Sequence, residues 1–240
     1  VSAGALLDVR GVSKRFGGFQ ALSAVDLQVR PGERFGLIGP NGSGKTTLIN
    51  CISGTLRPDG GRIHFEGRDI TPLAAHRRTR LGVARSFQIP KPFGSMTVLG
   101  NLLVPVEYAR LAHHAGARDE AMTILGQVGL AAKADVPSAA LTQIEMRKLE
   151  LARAMAARPK LLISDEAMAG LSSSEVDDIL AILFQLNEHG ITIIMIEHIM
   201  RAVMRFSQRI AVLDAGEKIA EGGPEEILAN PRVERAYLGE

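Results

Sequence analysis

Residues 39–46, Gly39-Pro-Asn-Gly-Ser-Gly-Lys-Thr46, carry the spacing G-x-x-x-x-G-K-[ST], and Thr47 follows directly. In such a stretch Gly39, Gly42 and Gly44 let the chain wrap around Pro40, Asn41 and Ser43 so that several N–H groups point inward. A helix starting at its end adds the positive end of a dipole. The ligand that both features favour is a triphosphate. Lys45 is placed to meet the β/γ-phosphates as a point charge, Thr46 to offer its hydroxyl to Mg²⁺, and Thr47 to hold phosphate from the next position. A second stretch, Leu161-Leu-Ile-Ser-Asp-Glu166, is an apolar run ending in two adjacent carboxylates. Strand side chains alternate in direction, so one carboxylate is expected to face a metal and the other water. Asp165 would hold Mg²⁺ through its waters, and Glu166 would orient or deprotonate an attacking water, a positioning task central to phosphoryl transfer.

These groups need elements to hold them. The run 34–38 reads as a strand ahead of the glycine loop, and residues 45 to about 53 as a helix after it, with Gly54 at its C-cap and Pro58-Asp-Gly-Gly as a turn. Short β-patterned runs stand at 6–10, 25–29 and 62–66. Apolar runs at 83–87, 161–164, 191–196 and 210–213 fit strands buried on both faces of a parallel sheet. Helical patterns lie between them at about 97–111, 117–128, 143–158, 174–188 and 198–206, the third stopped by Pro159. Alternation of this kind predicts an α/β fold. Residues 90–158 carry helices with no strand among them and read as a helical lobe inserted into one domain spanning 1–240. The basic run His76-Arg-Arg-Thr-Arg80 reads as a solvated face.

The composition narrows the classes. The chain has 240 residues, of which 46% are hydrophobic, enough to bury a sizeable core, so disorder is excluded. Lys and Arg number 28 against 26 Asp and Glu, and a net charge of +2 gives no reason to expect nucleic acid. Cys51 is the one cysteine, which excludes an internal disulfide and suits a reducing compartment. The longest apolar runs stop at strand length, too short to span a bilayer, and the start lacks the basic flank and apolar stretch of a secretory signal. The His113-His114 pair has no cysteine or acidic cluster at ligand spacing, so no zinc site is expected.

Taken in order, the motifs resemble the ATP-binding subunit of ABC transporters over nearly the whole chain, from Val9 to Leu238. The resemblance implies a P-loop NTPase with a mixed sheet core, an antiparallel β subdomain and an inserted helical lobe. Phe16, ahead of Gly-Gly-Phe-Gln-Ala-Leu22, matches the aromatic that stacks on adenine. Gln88 matches the glutamine that senses Mg²⁺ and γ-phosphate, and His198 the histidine that contacts the γ-phosphate. The family's L-S-G-G-Q signature, which closes over ATP held by the opposite subunit, appears here as Leu141-Thr-Gln-Ile-Glu145, with both glycines absent. Thr142 and Glu145 have the spacing of a capping box, which preserves a helix N-terminus, while Ile144 brings a branched side chain where glycine permits close approach to phosphate. Two readings stay open: Thr142, Ile144 and Glu145 still bind the partner's ATP, less well, through main-chain amides and the Thr142 hydroxyl, or this half-site is weak and needs a partner ATPase that keeps the glycines. The Pro usual after Asp-Glu is Ala167, and Ser172 stands where Asp or Asn is expected.

Phe87-Gln-Ile-Pro-Lys-Pro-Phe, Met96-Thr-Val-Leu-Gly-Asn-Leu102, Ile196-Glu-His-Ile-Met200 and the closing Ala236-Tyr-Leu-Gly-Glu are similar to the branched-chain amino acid importer subfamily. That resemblance implies an ATPase at the cytoplasmic face of the inner membrane, bound peripherally, using ATP and Mg²⁺. It implies a homodimer, or a heterodimer with a related ATPase, on two permease subunits, with an external solute-binding protein as an indirect partner. The groove between sheet core and lobe, bordered by 88–101 and by Phe93, would receive a permease helix. An ABC ATPase working on nucleic acid or translation is the alternative class; its usual coiled-coil insertion, zinc-binding cysteines or second ATPase half are missing from this sequence. P-loop GTPases and small kinases lack the signature helix and the late histidine.

Overall fold

The computed structural model describes residues 4–86, 91–110 and 116–238. It opens with a long hairpin, β1 (Leu7–Phe16) and β2 (Phe19–Val29), followed by β3 (Arg34–Ile38), α1 (Lys45–Ser53), β4 (Gly60–Phe65), β5 (Arg68–Asp69), α2 (Ala75–Leu81) and β6 (Val83–Ser86). Three helices come next, α3 (Val98–Arg110), α4 (Ala117–Gln127) and α5 (Gln143–Met155), and then β7 (Leu161–Asp165), α6 (Ser173–Glu188), β8 (Thr192–Ile196) and α7 (Met200–Phe206). The hairpin β9 (Arg209–Asp214) and β10 (Glu217–Gly222) and the helices α8 (Pro224–Leu228) and α9 (Pro231–Leu238) complete the chain.

Two sheets organise these elements. One is antiparallel, in the order β2-β1-β4-β5; the other has six strands, β10-β9-β3-β8-β7-β6, parallel except for β10 at its edge. The parallel strands are buried on both faces, and their two-residue period sorts side chains between two cores. Leu162, Ile193, Met195, Ile210 and Val212 point to the side that carries α3, α5, α6 and α7. Leu161, Ile163, Ile194, Ile196, Ala211 and Leu213 point to the side that carries α1 and the antiparallel sheet.

Several expectations need correction. The early runs 6–10 and 25–29 are parts of strands about twice as long, because bulges in β1 between Val9 and Val12 and beyond carry the pairing past Gly11 and the charged residues that interrupt the pattern. The third helix ends at Met155 rather than 158, and α7 begins at Met200 rather than 198. The basic run is not uniformly solvated. Arg78 is 1% exposed and its guanidinium donates to the carbonyls of Cys51, Ile52, Thr71 and Leu73.

Candidate nucleotide site

The glycine loop turns between β3 and α1, and its sequence follows from the space available. A Cβ on Gly39, whose φ is +151°, would sit 2.0 Å from the Leu213 carbonyl oxygen, and one on Gly44, at φ +103°, 2.7 Å from that of Ala21. Gly44 is also the N-cap of α1 and has no side chain to cap it. The first amides of the helix have no partner within it, so 45–47 present N–H groups to whatever lies in the loop. The β9–β10 turn pins the loop from behind, with the Gly216 amide donating to Ser43 O at 3.0 Å. Lys45 is buried, and its Nζ donates to the carbonyls of Gly39 at 2.7 Å and Pro40 at 3.0 Å and to the Ser43 hydroxyl at 3.4 Å. Burial holds its ammonium below the ordinary lysine range, while Glu166 and Asp165 pull it upward.

One cleft of about 280 Å³ joins this loop, through 41–47, to Phe16, Phe19, Glu166 and His198. Phe16 and Phe19 face each other across the Gly17-Gly18 turn of the first hairpin and are 50% and 64% exposed, which excludes a core role for either ring. Lys14 Nζ lies 5.8 Å from the Phe16 ring centroid. Glu166 and His198 meet directly, Oε1 to Nε2 at 3.1 Å.

The acidic pair is divided by a different device from the one expected. β7 ends at Asp165, and Glu166 adopts φ +47°, a left-handed conformation uncommon outside glycine, so a backbone turn rather than strand alternation separates the two carboxylates. The Glu166 amide donates to Ile196 O at 2.9 Å, which fixes that turn to the end of β8. Asp165 is held by Arg85, whose Nη2 lies 2.5 Å from Oδ2, and Arg85 Nη1 also donates to Asn50 Oδ1 on α1. Gln88 lies outside the described residues.

A family description, ABC transporter, matches residues 22–169, and the branched-chain amino acid ATP-binding cassette transporter description matches 217–240. The chain belongs to the ABC transporter family. The cassette is 39% identical to the high-affinity branched-chain amino acid transport ATP-binding protein BraF of Pseudomonas aeruginosa and to LivG of Escherichia coli K12, each over 98% of both chains. A probable LivG of Archaeoglobus fulgidus is 40% identical over 98% of the cassette and 95% of its own length. Among solved structures, a nucleotide-free ATP-binding cassette of an ABC transporter superposes with a TM-score of 0.90 at 35% identity, covering 98% of the cassette and 100% of that chain. The ADP conformation of another gives 0.88 at 32% identity, covering 98% and 99%. The P-loop fold and the ATPase activity expected from the motifs are those of this family.

The signature residues sit apart from this cleft, at the start of α5. The capping box is present: Thr142 Oγ1 accepts from the Glu145 amide at 3.4 Å and Glu145 Oε2 accepts from the Thr142 amide at 3.0 Å. Lys133 Nζ lies 2.6 Å from Glu145 Oε1 and, with these bonds, holds its carboxyl below the usual range. Ile144 packs against the core of the α3–α7 side, so its branched side chain is turned inward rather than toward a phosphate. Gln143, in place of the first glycine, reaches back within the cassette to Ala169 O at 3.5 Å.

Four residues of the cassette's site went unread in the sequence. Phe19 and Arg85 carry no motif of their own. Tyr237 of α9 faces the Gly39 amide with its hydroxyl, a link between chain end and loop that no spacing announces. Glu197 is 3% exposed, and burial first, then the nearby charge of Glu166, raises its pKa to about 7, against the amides of Met168 and His198 and the charge of Arg147. A carboxyl whose folded pKa lies above its unfolded value stabilises fully below the unfolded pKa and loses that contribution as pH rises through 7. Relative to Glu197→Gln, the wild type should lose about 3 kcal/mol of unfolding free energy between pH 4 and pH 8, by denaturant titration at each pH. A constant difference would show that Glu197 ionises as freely in the fold as outside it.

Proposed function

We propose that this ATPase is the motor subunit of an importer for branched-chain or related amino acids, bound peripherally at the cytoplasmic face of the inner membrane. The observation that carries the reading is the single cleft that joins an aromatic platform, a phosphate loop and a carboxylate–imidazole pair. Phe16 stacks on adenine, the amides of 39–47 and Lys45 take the phosphates, Glu166 orients and deprotonates the attacking water, and His198 meets the γ-phosphate. The lysine's present partners are loop carbonyls, so phosphate oxygens and those carbonyls share one ammonium.

Thr46 in the cleft and Asp165 at the end of β7 offer hard oxygen donors, few in number, as suits a small dication that keeps phosphate oxygens and water around it. Bound there, Mg²⁺ neutralises phosphate charge. Gln88 is the third donor in this reading. A second subunit, identical or related, brings its own α5 N-terminus over the nucleotide; Thr142 uses its oxygen to cap Glu145, which leaves the hydroxyl proton free for a phosphate. Closure excludes water, and main-chain amides and Lys45 stabilise charge on the transferring group.

Residues 90–158 act as the lobe that engages the permease. A groove of about 250 Å³ between α2, β6, α3 and α5 is lined by Ala84, Pro105, Tyr108 and Ala154 with Arg80 and Arg153. Arg153 lies over the Phe93 ring at 5.3 Å, and Phe93 is 43% exposed. Phe93→Ala should lower recovery of permease with the ATPase by about tenfold, the scale of a lost aromatic anchor, while ATP binding stays unchanged. Membrane vesicles carrying the assembled transporter test the cargo: ATP-dependent uptake of labelled leucine is expected, and its absence beside uptake of an unrelated solute would overturn the assignment.

A further inference from the structure

Glu197 precedes His198 and follows β8, and the nucleotide chemistry above assigns it nothing. Its carboxylate Oε1 accepts from the Met168 amide at 2.9 Å in a buried setting. Met168 belongs to the turn that begins at Glu166, where φ is +47°. The same turn is gripped from α5: Arg147, 8% exposed, donates from Nη2 to Ala169 O at 3.2 Å, and Gln143 reaches that oxygen at 3.5 Å. A left-handed non-glycine residue is held only when its surroundings over-determine it, and the bonds at Met168 and Ala169, with the Glu166 amide on Ile196, are those surroundings.

We propose that Glu197 is a positioning residue for ATP hydrolysis, acting through the Met168 amide on the turn that aims Glu166, with Arg147 holding the next carbonyl from the signature helix. The inference rests on the reading that Glu166 handles the attacking water. It makes the turn a strap between β8 and α5, so that the start of the signature helix and the water-handling carboxylate share one support. The groups facing Glu197 are Glu166 on the turn, Arg147 on α5 and the amides of Met168 and His198. Ionised, Glu197 accepts a charge-assisted bond from Met168; neutral, it accepts a weaker one, so the aim of Glu166 firms as pH rises through 7.

The test is ATP turnover of the full chain, over ATP concentration and pH, for the wild type, Glu197→Ala, Glu197→Gln and Glu166→Gln. Glu197→Ala should lower kcat by about tenfold or more with KM within about twofold, the split expected of an interaction felt in the transition state. Glu197→Gln keeps an oxygen for the Met168 amide, so it should recover most of that kcat at pH 7 and lack the rise in kcat through pH 7 that the wild type shows. A raised KM with kcat intact, or equal losses for Ala and Gln, would overturn the positioning role. Wild-type turnover in Glu166→Gln would overturn the underlying reading instead, whereas a dead Glu166→Gln beside an unaffected Glu197→Ala would overturn this inference alone. If the Ala variant does not fold, the Gln variant decides: an unchanged inflection near pH 7 counts against the proposal.

Discussion

Glu166→Gln should lower ATP turnover at least about a hundredfold while leaving ATP bound, because a general base within reach of its water contributes on the order of 10²–10⁴. The substitution is nearly isosteric, so it leaves the amide bond to Ile196 O and a polar partner for His198 in place. It removes only the ability to take a proton. The carboxylate also acts through its charge on the loop's lysine, whose ammonium it helps to keep charged, so in the proposed site the change subtracts negative charge and ATP affinity should hold or rise. Single-turnover hydrolysis and retained nucleotide after gel filtration report the two halves separately. Normal turnover would remove Glu166 from its role and leave His198 as the nearest candidate.

The second large effect is on stability. Arg78→Met should cost about 3 kcal/mol or more, because it leaves several buried carbonyls unmet at on the order of 1–3 kcal/mol each. Its guanidinium binds Cys51 O at 2.6 Å, Ile52 O at 2.8 Å, Leu73 O at 2.9 Å and Thr71 O at 3.1 Å, and is 1% exposed. Cys51 and Ile52 lie in the last turn of α1, whose carbonyls have no helical partners and carry the negative end of its dipole. Methionine fills similar volume but leaves those oxygens buried and unmet. Because α1 begins at Lys45, loss of its far end should be felt in nucleotide affinity as well as in the urea midpoint. A loss below about 1 kcal/mol would mean that water reaches these carbonyls at little cost.

Arg78 also shows where reading the sequence stops. Four arginine or histidine side chains in five residues look alike on paper, and only the packing of α2 against α1 decides that one turns inward. By contrast, the glycine loop between its strand and helix was legible, because glycines at positive φ beside carbonyls and the start of a helix are set by residues adjacent in sequence. The capping box at Thr142 was legible for a similar reason: it is a local interaction between residues three apart. The packing of Ile144 was not, since it depends on a core assembled from residues far away in sequence. The same holds for Glu197, an acid at the end of an apolar strand whose surroundings come from α5 and the β7 turn, far away in sequence. The first hairpin was underread because its bulges break the two-residue period on which strand recognition depends.

The division of buried side chains across the six-stranded sheet has a mechanical consequence. The hairpin that bears Phe16, the helix that follows the glycine loop and one alternating set of parallel-strand side chains share one interior, so the two ends of the cleft belong to a single half. The helices α3 and α5, which form one wall of the groove proposed for the permease, share the other. In the proposed cycle, tilting of that second half would carry force outward without loosening the first half's hold on the nucleotide. The turn from Glu166 to Gly170, tethered to both, is where work done on one side would be felt as chemistry on the other.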